Sequence, residues 1–169
     1  MPELSLQERL QPSLLDRLAD DNPEEQTEPP SNRFLSVQQL RRFVQRDIAW
    51  LFNAPDLQRM VEGYTEVERS VLNFGIPDLA GFTVSSLDVG ALEAAVRTAL
   101  ERYEPRLIRQ SIRLRAEVDP DSMSHNTLIL HIACELWATP VPVEMVLRTA
   151  LDFESGKVSV TEVAGRSGL

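Results

Sequence analysis

The segment Tyr103-Glu104-Pro105-Arg106-Leu107 separates two stretches with different hydrophobic periods. Apolar residues before it recur every three or four positions, which predicts a helix with one buried face. Pro105 ends that helix, because proline lacks an N–H group and favours an extended residue before it. Apolar and polar residues alternate after it, which predicts a strand over about 107–118. We therefore expect Glu104 and Arg106, two residues of opposite charge, to lie at a rigid corner between helix and strand.

Three more segments downstream of the corner have the character of strands. They cover about 127–138, 143–153 and 158–163, the last as an edge strand after a turn at Ser155-Gly156. Consecutive strands with short connections form an antiparallel meander. The sequence therefore predicts an α+β fold, with a three- to four-stranded, mainly antiparallel sheet, two main helices packed on it, and a helical N-terminal arm.

Upstream of the corner, helix signals alternate with turn signals. Ser36 and Gln39 form a capping-box pattern at the start of a helix that ends near Asn53. Either Ser86 or Asp88 caps the helix that leads to the corner. The polar face of the first helix is either a solvated surface or a patch for an acidic partner, and it carries three arginines: Arg41, Arg42 and Arg46.

The segment between these two helices has a weaker pattern. We expect residues 56–70 to be irregular and Val67–Leu72 to be extended. Gly75 lies in a turn, where it supplies a backbone angle that a larger residue resists. Four apolar residues are expected to enter the core: Phe74, Ile76, Leu79 and Phe82.

The first 30 residues differ in composition from the rest. Residues 4–19 carry six leucines interrupted by Pro12, which predicts two short helical pieces, the second beginning near Ser13. Residues 20–30 are acidic and contain three prolines, as linkers do. This arm either folds back onto its own domain or docks into a groove of a partner. The chain divides into three parts: the arm and linker (1–30), a main domain (31–163) and a tail (164–169).

Composition and charge limit the possible classes of function. The 169 residues are 43% hydrophobic, which is typical of a globular protein, and the formal net charge of −9 argues against nonspecific binding to nucleic acid. No stretch approaches the roughly 18 apolar residues of a membrane-spanning helix, and the first residues lack a signal-peptide pattern. We therefore expect a cytoplasmic protein. Cys134 is the only cysteine and is expected to be a small buried hydrophobic residue.

The glutamate at the corner raises the question of catalysis. Glycoside hydrolysis needs two carboxylates roughly 5–9.5 Å apart, one with a raised pKa, and the sequence places none opposite Glu104. A nearby arginine also lowers the pKa of a carboxylate, which is the wrong direction for a general acid. His125 and His131 are the only histidines, and neither stands at the spacing of a metal site. We expect no catalytic, metal-binding or cofactor-binding residues.

Four segments, in this order, resemble the TssE-type baseplate subunit of bacterial type VI secretion systems, and together they extend over nearly the whole chain. They are Pro12-Ser13-Leu14-Leu15-Asp16-Arg17-Leu18, the segment from Ser70 to Leu79, the Glu104-Pro105-Arg106 corner, and Leu136-Trp137-Ala138-Thr139-Pro140-Val141-Pro142. The TssE-type group is related to a phage baseplate wedge protein, and its family carries an old lysozyme-like label.

The resemblance implies a noncatalytic subunit of the baseplate wedge beneath a contractile sheath. Its Glu-Pro-Arg motif, which is associated with the contact to the sheath, is intact as Glu104, Pro105 and Arg106. The implied partners are sheath proteins and other wedge subunits in a large hetero-oligomeric assembly; the alternative function is a peptidoglycan-cleaving enzyme. A sheath segment would pair with a sheet edge beside the corner. Arg106 would bind a carboxylate of the partner, Glu104, or another carboxylate inside the fold.

Overall fold

The computed structural model describes residues 13–18, 24, 36–57, 60–81, 87–118, 127–138 and 141–163. In this part of the chain four strands form one sheet: β1 (Arg113–Val118), β2 (Thr127–Leu136), β3 (Val143–Asp152) and β4 (Val158–Glu162). Their spatial order follows the chain, and each neighbouring pair is antiparallel. The predicted α+β meander is confirmed, with the ends of β2, β3 and β4 one or two residues before the predicted positions.

Four α-helices occur in the same segments: α1 (Leu14–Leu18), α2 (Val37–Phe52), α3 (Thr65–Glu68) and α4 (Val89–Tyr103). The capping box of α2 is confirmed, since Ser36 Oγ accepts from Gln39 N and Gln39 Oε1 accepts from Ser36 N. Asp88 caps α4, and the alternative Ser86 lies outside the described residues. None of these helices has the length and the apolar run that a membrane crossing requires.

The core lies between the two long helices and one face of the sheet. Alternate residues of β2 face the helices and are almost fully buried, as are the apolar stripes of α2 and α4. Cys134 lies in this core at 2% exposure. Burial, with the nearby charge of Glu104, raises the pKa of the Cys134 thiol to about 12, so the thiol stays protonated at neutral pH. Its predicted role as a small buried residue is confirmed.

The strand after the corner begins later than predicted. Leu107 forms only an isolated bridge with Leu136, and a 3-10 turn over 109–111 precedes β1. Ser111 accounts for the interruption, because its Oγ accepts a hydrogen bond from the N–H of Glu135 at 2.7 Å. A side chain thus takes the place of a backbone partner in the ladder. The prediction of one continuous strand over 107–118 is wrong, since the alternation of apolar residues does not reveal such a substitution.

The segment Val67–Leu72 was expected to be extended, and this expectation is wrong. It contains the end of α3 and the start of a 3-10 turn over Val71–Asn73. The side chain of Asn73, which is 4% exposed, donates to Glu68 O at 3.1 Å and accepts from Leu57 N at 2.8 Å. These side-chain bonds, one of them to a residue 16 positions earlier, replace backbone partners and favour a turn over a strand.

Two of the four apolar residues predicted to enter the core beside this turn do so. Ile76 and Leu79 are buried, whereas Phe74 is 37% exposed. The Phe74 ring instead packs edge-on against Tyr103, with ring centroids 5.3 Å apart. Phe82 lies outside the described residues. Phe74 therefore braces the last residue of α4 rather than filling the core.

Candidate functional site

The corner is tied to the helix before it and to the sheet after it. The N–H of Glu104 donates to Leu100 O at 3.0 Å, which completes the last turn of α4. On the other side, the N–H of Trp137 donates to Arg106 O at 2.8 Å. Contacts in two directions therefore hold the backbone of this segment in one position.

Glu104 and Arg106 form an ion pair within the corner itself. Glu104 is 3% exposed, and its Oε1 accepts from the backbone N–H of Arg106 at 3.2 Å and from Nε at 2.6 Å. Its Oε2 accepts from Arg106 Nη2, which also donates to Asp47 Oδ2 of α2 at 2.6 Å. The sequence left three partners open for Arg106: a carboxylate of another protein, Glu104, or another carboxylate of the same chain. The structure shows pairs with Glu104 and with Asp47, which are both in the same chain.

The contacts continue from the corner to the N-terminal arm. Asp47 Oδ1 also accepts from Arg46 Nη2 at 2.8 Å, and Arg46 Nη1 donates to Asp16 Oδ1 of α1 at 2.6 Å. Carboxylates and guanidinium groups therefore alternate through five side chains, which we call the corner cluster: Asp16, Arg46, Asp47, Arg106 and Glu104.

Pairing favours the charged forms of Asp16 and Arg106 despite their partial burial. Burial by itself disfavours the charged forms of Asp16 and Arg106. Hydrogen bonds from Arg46 and Ser13 outweigh it at Asp16 and lower the pKa of that carboxyl group. Hydrogen bonds to Glu104 and Asp47 outweigh it at Arg106 and raise its pKa. The cluster contains three carboxyl groups and two guanidinium groups.

An apolar pocket of about 490 Å³ lies beside the corner cluster. Arg46 stacks over the ring of Trp50, with 4.8 Å between the guanidinium carbon and the ring centroid, and Trp50 is 50% exposed. The apolar side chains that line the pocket come from α1, α2, α4, the loop after α3 and the corner: Leu15, Ile48, Trp50, Leu51, Phe74, Tyr103 and Pro105. The corner thus presents both an apolar surface and a fixed set of charges.

The position of α1 bears on the two interpretations of the arm. Asp16 holds this helix to α2, and the Asp16 side chain is only 4% exposed. The leucines of α1 nevertheless face solvent, with exposures of 70% for Leu14, 52% for Leu15 and 73% for Leu18. Helix α1 is therefore fixed to the rest of the domain through a charge, while its leucines remain accessible to another protein.

The end of α4 is braced by the loop after α3. Tyr103 Oη shares its one hydrogen between the carbonyl oxygens of Ser70 and Asn73, at 3.0 and 2.8 Å. Arg102 Nη1 donates to Glu68 O at 2.8 Å. These contacts set the direction in which the chain leaves α4 and enters Glu104.

The corner brings a second carboxylate, Asp47, close to Glu104, and the sequence did not indicate this neighbour. The guanidinium group of Arg106 binds both carboxylates and fills the space between them. A glycosidase instead needs its two carboxylates on either side of the scissile bond, with room for the sugar and, in inverting enzymes, for a water molecule. The arrangement fits a cluster that fixes the shape of a loop better than it fits an acid–base pair.

Two of the remaining candidate groups, Arg41 and His131, lie beside carboxylates of the fold. Arg41 pairs with Glu162 at 2.6 Å, and Arg46 belongs to the corner cluster, whereas Arg42 is exposed. His131 Nε2 lies 3.2 Å from Glu117 Oε2, and His125 is outside the described residues. Among the residues that the structure describes, no three histidine, cysteine, aspartate or glutamate side chains are grouped as a metal site requires.

Comparison with known proteins gives one match. The family model described as baseplate wedge protein gp25 matches residues 38–141, a span that includes α2 from its second residue onward, α4, the corner, β1 and β2. Neither the curated proteins nor the solved structures gave a match. Since the matched span exceeds half of the sequence, the chain belongs to the baseplate wedge protein gp25 family, which supports a structural role in a phage-tail-like baseplate.

Proposed function

We propose that the chain is a TssE-type subunit of a type VI secretion baseplate, and that its Glu104-Pro105-Arg106 corner anchors or nucleates the contractile sheath. The family match supports the baseplate role, and the four TssE-like segments support the narrower assignment. The proposed role of the corner rests on how its three residues are arranged. Pro105 is exposed between two residues whose side chains are bound to each other.

The three residues of the motif have different tasks in this mechanism. Glu104, at 3% exposure, does not reach a partner; together with Asp47 it fixes the position of Arg106. Pro105 and the exposed quarter of the Arg106 side chain contact the sheath. A partner meets a surface that is already ordered, so binding costs little conformational entropy.

In the proposed assembly, other wedge subunits bind at surfaces separate from the corner. The exposed leucines of α1 offer one such surface, held close to the corner by Asp16. Residues 31–163 are the wedge domain, and the subunit acts in the cytoplasm as a noncatalytic part of a hetero-oligomer. It needs no cofactor, nucleic acid or membrane span of its own in this role.

Co-purification with type VI sheath and wedge proteins tests the proposal on wild type, Pro105→Ala and Arg106→Ala. We expect Pro105→Ala to lose the sheath while its melting temperature changes by less than about 2 °C, because the residue is exposed. Arg106→Ala should lose the sheath and also about 3 kcal/mol of stability, because it leaves Glu104 buried without its main partner.

Arg42→Ala is the matched control, since Arg42 is exposed on α2 and should retain both sheath binding and stability. Unchanged co-purification of the sheath with Pro105→Ala and with Arg106→Ala would contradict the proposed role of the corner. The contact would then lie on another surface, and the leucines of α1 would be examined next.

A further inference from the structure

The two long helices pack on one face of the sheet, and we call the opposite face the open face. It carries every second side chain of β2 and β3, since side chains alternate along a strand. Those side chains are Ile129, His131, Ala133, Glu135, Glu144, Val146, Arg148 and Ala150. All of them except Ile129 are exposed or half-buried. The open face is therefore accessible to a second protein along most of its length.

Trp137 extends the open face beyond the end of β2. It lies between the buried residues Leu136 and Ala138, so its side chain points to the open side, and it is 60% exposed. Tryptophan is enriched in the centres of protein interfaces, where its large ring is removed from water. An exposed tryptophan beside an exposed sheet face favours an interface here.

The register between β2 and β3 gives the open face a pattern that reverses about its centre. Cross-strand partners form rows, and three successive rows are Glu135 with Glu144, Ala133 with Val146, and His131 with Arg148. The apolar row in the middle, Ala133 and Val146, we call the central row. The row on one side of it is acidic, and the row on the other side carries an arginine and a histidine.

The charged rows are poorly neutralised within the described part of the chain. The side chains of Glu135, Glu144 and Arg148 have no ion pair there, whereas His131 lies 3.2 Å from Glu117 of β1. Two glutamates directly opposite each other disfavour the pairing of their strands. A surface that presents the same two rows in the reverse order would complement both of them.

A second copy of the chain presents that reverse order. Two sheets that pack face to face lie about 10 Å apart with their strands nearly aligned. A two-fold axis between the faces, running across the strands at the central row, turns the strands of one copy end for end. Arg148 of each copy then lies over Glu144 of the other, and His131 lies over Glu135, so each contact occurs twice.

The apolar residues agree with the same axis. Trp137 lies four positions after Ala133 on β2, and Ile129 lies four positions before it. The axis therefore places Trp137 of one copy over the row that Ile129 and Ala150 form in the other. The central row packs against itself, and its small side chains allow the two sheets to approach closely.

The size of the open face bears on how stable such a dimer is. The sheet has four strands, and β2 and β3 have 10 residues each. At ordinary strand spacing and rise, the face measures at most about 19 by 33 Å, or roughly 600 Å². A standard interface buries about 800 Å² on each partner. The open face is somewhat smaller than this, which fits a dimer that forms and dissociates readily.

We infer that the free chain forms a two-fold dimer through the open face of its sheet, in which Arg148 of each copy pairs with Glu144 of the other. The inference goes beyond the proposed function, because this association needs no other baseplate protein. Its failure would leave the sheath-binding role of the corner untouched, since that role is tested by co-purification.

Sedimentation equilibrium of the full chain over a series of concentrations tests the inference. We expect wild type to show a reversible equilibrium between monomer and dimer. R148E and E144R should each raise the dissociation constant about tenfold or more, because two attractive contacts in the dimer become repulsive. R148E makes the net charge of −9 more negative and E144R makes it less negative, so weakening by both comes from the local contacts.

A mixture of the two variants gives the sharpest test. In a dimer of one R148E chain and one E144R chain, both contacts again join opposite charges. An equimolar mixture should therefore associate about as strongly as wild type, although each variant alone does not. The double variant R148E/E144R should form its own dimer for the same reason. Recovery in either sample also shows that the substituted chains are folded.

Two tryptophan variants control for the apolar contact. Trp137→Ala should weaken the dimer, whereas Trp50→Ala, which removes a comparably exposed tryptophan from α2, should associate like wild type.

Three results would overturn the inference: a wild-type chain that stays monomeric at every concentration, charge variants that associate like wild type, or a mixture that stays monomeric. A dimer that L14S/L18S abolishes and R148E leaves intact would also overturn it, because the interface would then involve the exposed leucines of α1.

Discussion

Thr149 places a hydroxyl group at the centre of the buried face of the sheet. The residue is fully buried in β3, and its Oγ1 has no hydrogen-bond partner among the described residues. Its cross-strand neighbours, Leu130 and Val160, are apolar. Because a buried polar atom without a partner costs about 1–3 kcal/mol, Thr149→Val should stabilise the fold by about 1 kcal/mol. A thermal melt should show a rise of about 2–4 °C.

Thr161→Val is the control for this prediction. Thr161 is exposed on β4, and its hydroxyl donates to Arg148 O at 3.1 Å. Its replacement should leave the melting temperature unchanged or slightly lower. A loss of stability in Thr149→Val would show that the hydroxyl contributes to the packing of β3 in another way.

Gly75 is a second position where a single added atom, the Cβ of alanine, should change the stability of the fold. Its φ is +147°, and a Cβ atom built there would lie 2.3 Å from Ala54 O. The close approach arises because Ile76 N donates to Ala54 O, and Ile76 O accepts from Asp56 N, in a parallel bridge. We expect Gly75→Ala to cost about 3 kcal/mol or more in chemical denaturation, through both strain and steric overlap.

Gly63→Ala separates the two causes. Gly63 also has a positive φ, of +90°, but nothing lies within 4 Å of a Cβ atom built there. This substitution should cost only the backbone strain, about 1–2 kcal/mol. Equal losses in the two variants would mean that the contact with Ala54 can relax. The sequence predicted the special angle at Gly75 but not the strand-like neighbour that makes it necessary.

At the scale of elements, predictions succeeded where a single hydrophobic period runs without interruption. The helix that ends at Tyr103 and the strands β2 and β3 have clear periods, and each lies close to its predicted position. Predictions failed where a polar side chain replaces a backbone partner. Ser111 does this before β1, and Asn73 does it in the turn before Gly75. Such replacements depend on residues that are distant in sequence, so local pattern does not show them.

The candidate site was only partly predictable for the same reason. The proline between Glu104 and Arg106 identified the corner, because its effect on the backbone is local. Asp47 lies 59 positions before Arg106, on the polar face of a helix where charged residues are expected in any case. Its place beside Arg106 follows only when α2 and α4 pack on the same face of the sheet. The position of Asp16 in the corner cluster could not be predicted either, because it also depends on how distant segments pack.

At the scale of the whole molecule, the corner cluster links three parts that are far apart in the chain. Asp16 belongs to the arm, Arg46 and Asp47 to α2, and Arg106 to the corner. The alternating charges fix α1 to the surface that we propose meets the sheath. A change in the attachment of α1 would therefore alter the walls of the pocket beside Pro105.

The attachment of the arm should depend on pH through Asp16. Its folded-state pKa is below the ordinary value of 3.8, so the unfolded chain binds this proton more readily. The stabilisation is therefore complete above about pH 4 and is lost as the pH falls through the folded-state pKa. We expect Asp16→Asn to cost about 1 kcal/mol at pH 7, and thermal melts should show this difference shrink as the pH falls below about 4. Glu66→Gln, at an exposed position of α3, should match wild type throughout. A difference for Asp16→Asn that does not shrink as the pH falls below about 4 would mean that the charge of Asp16 does not hold α1.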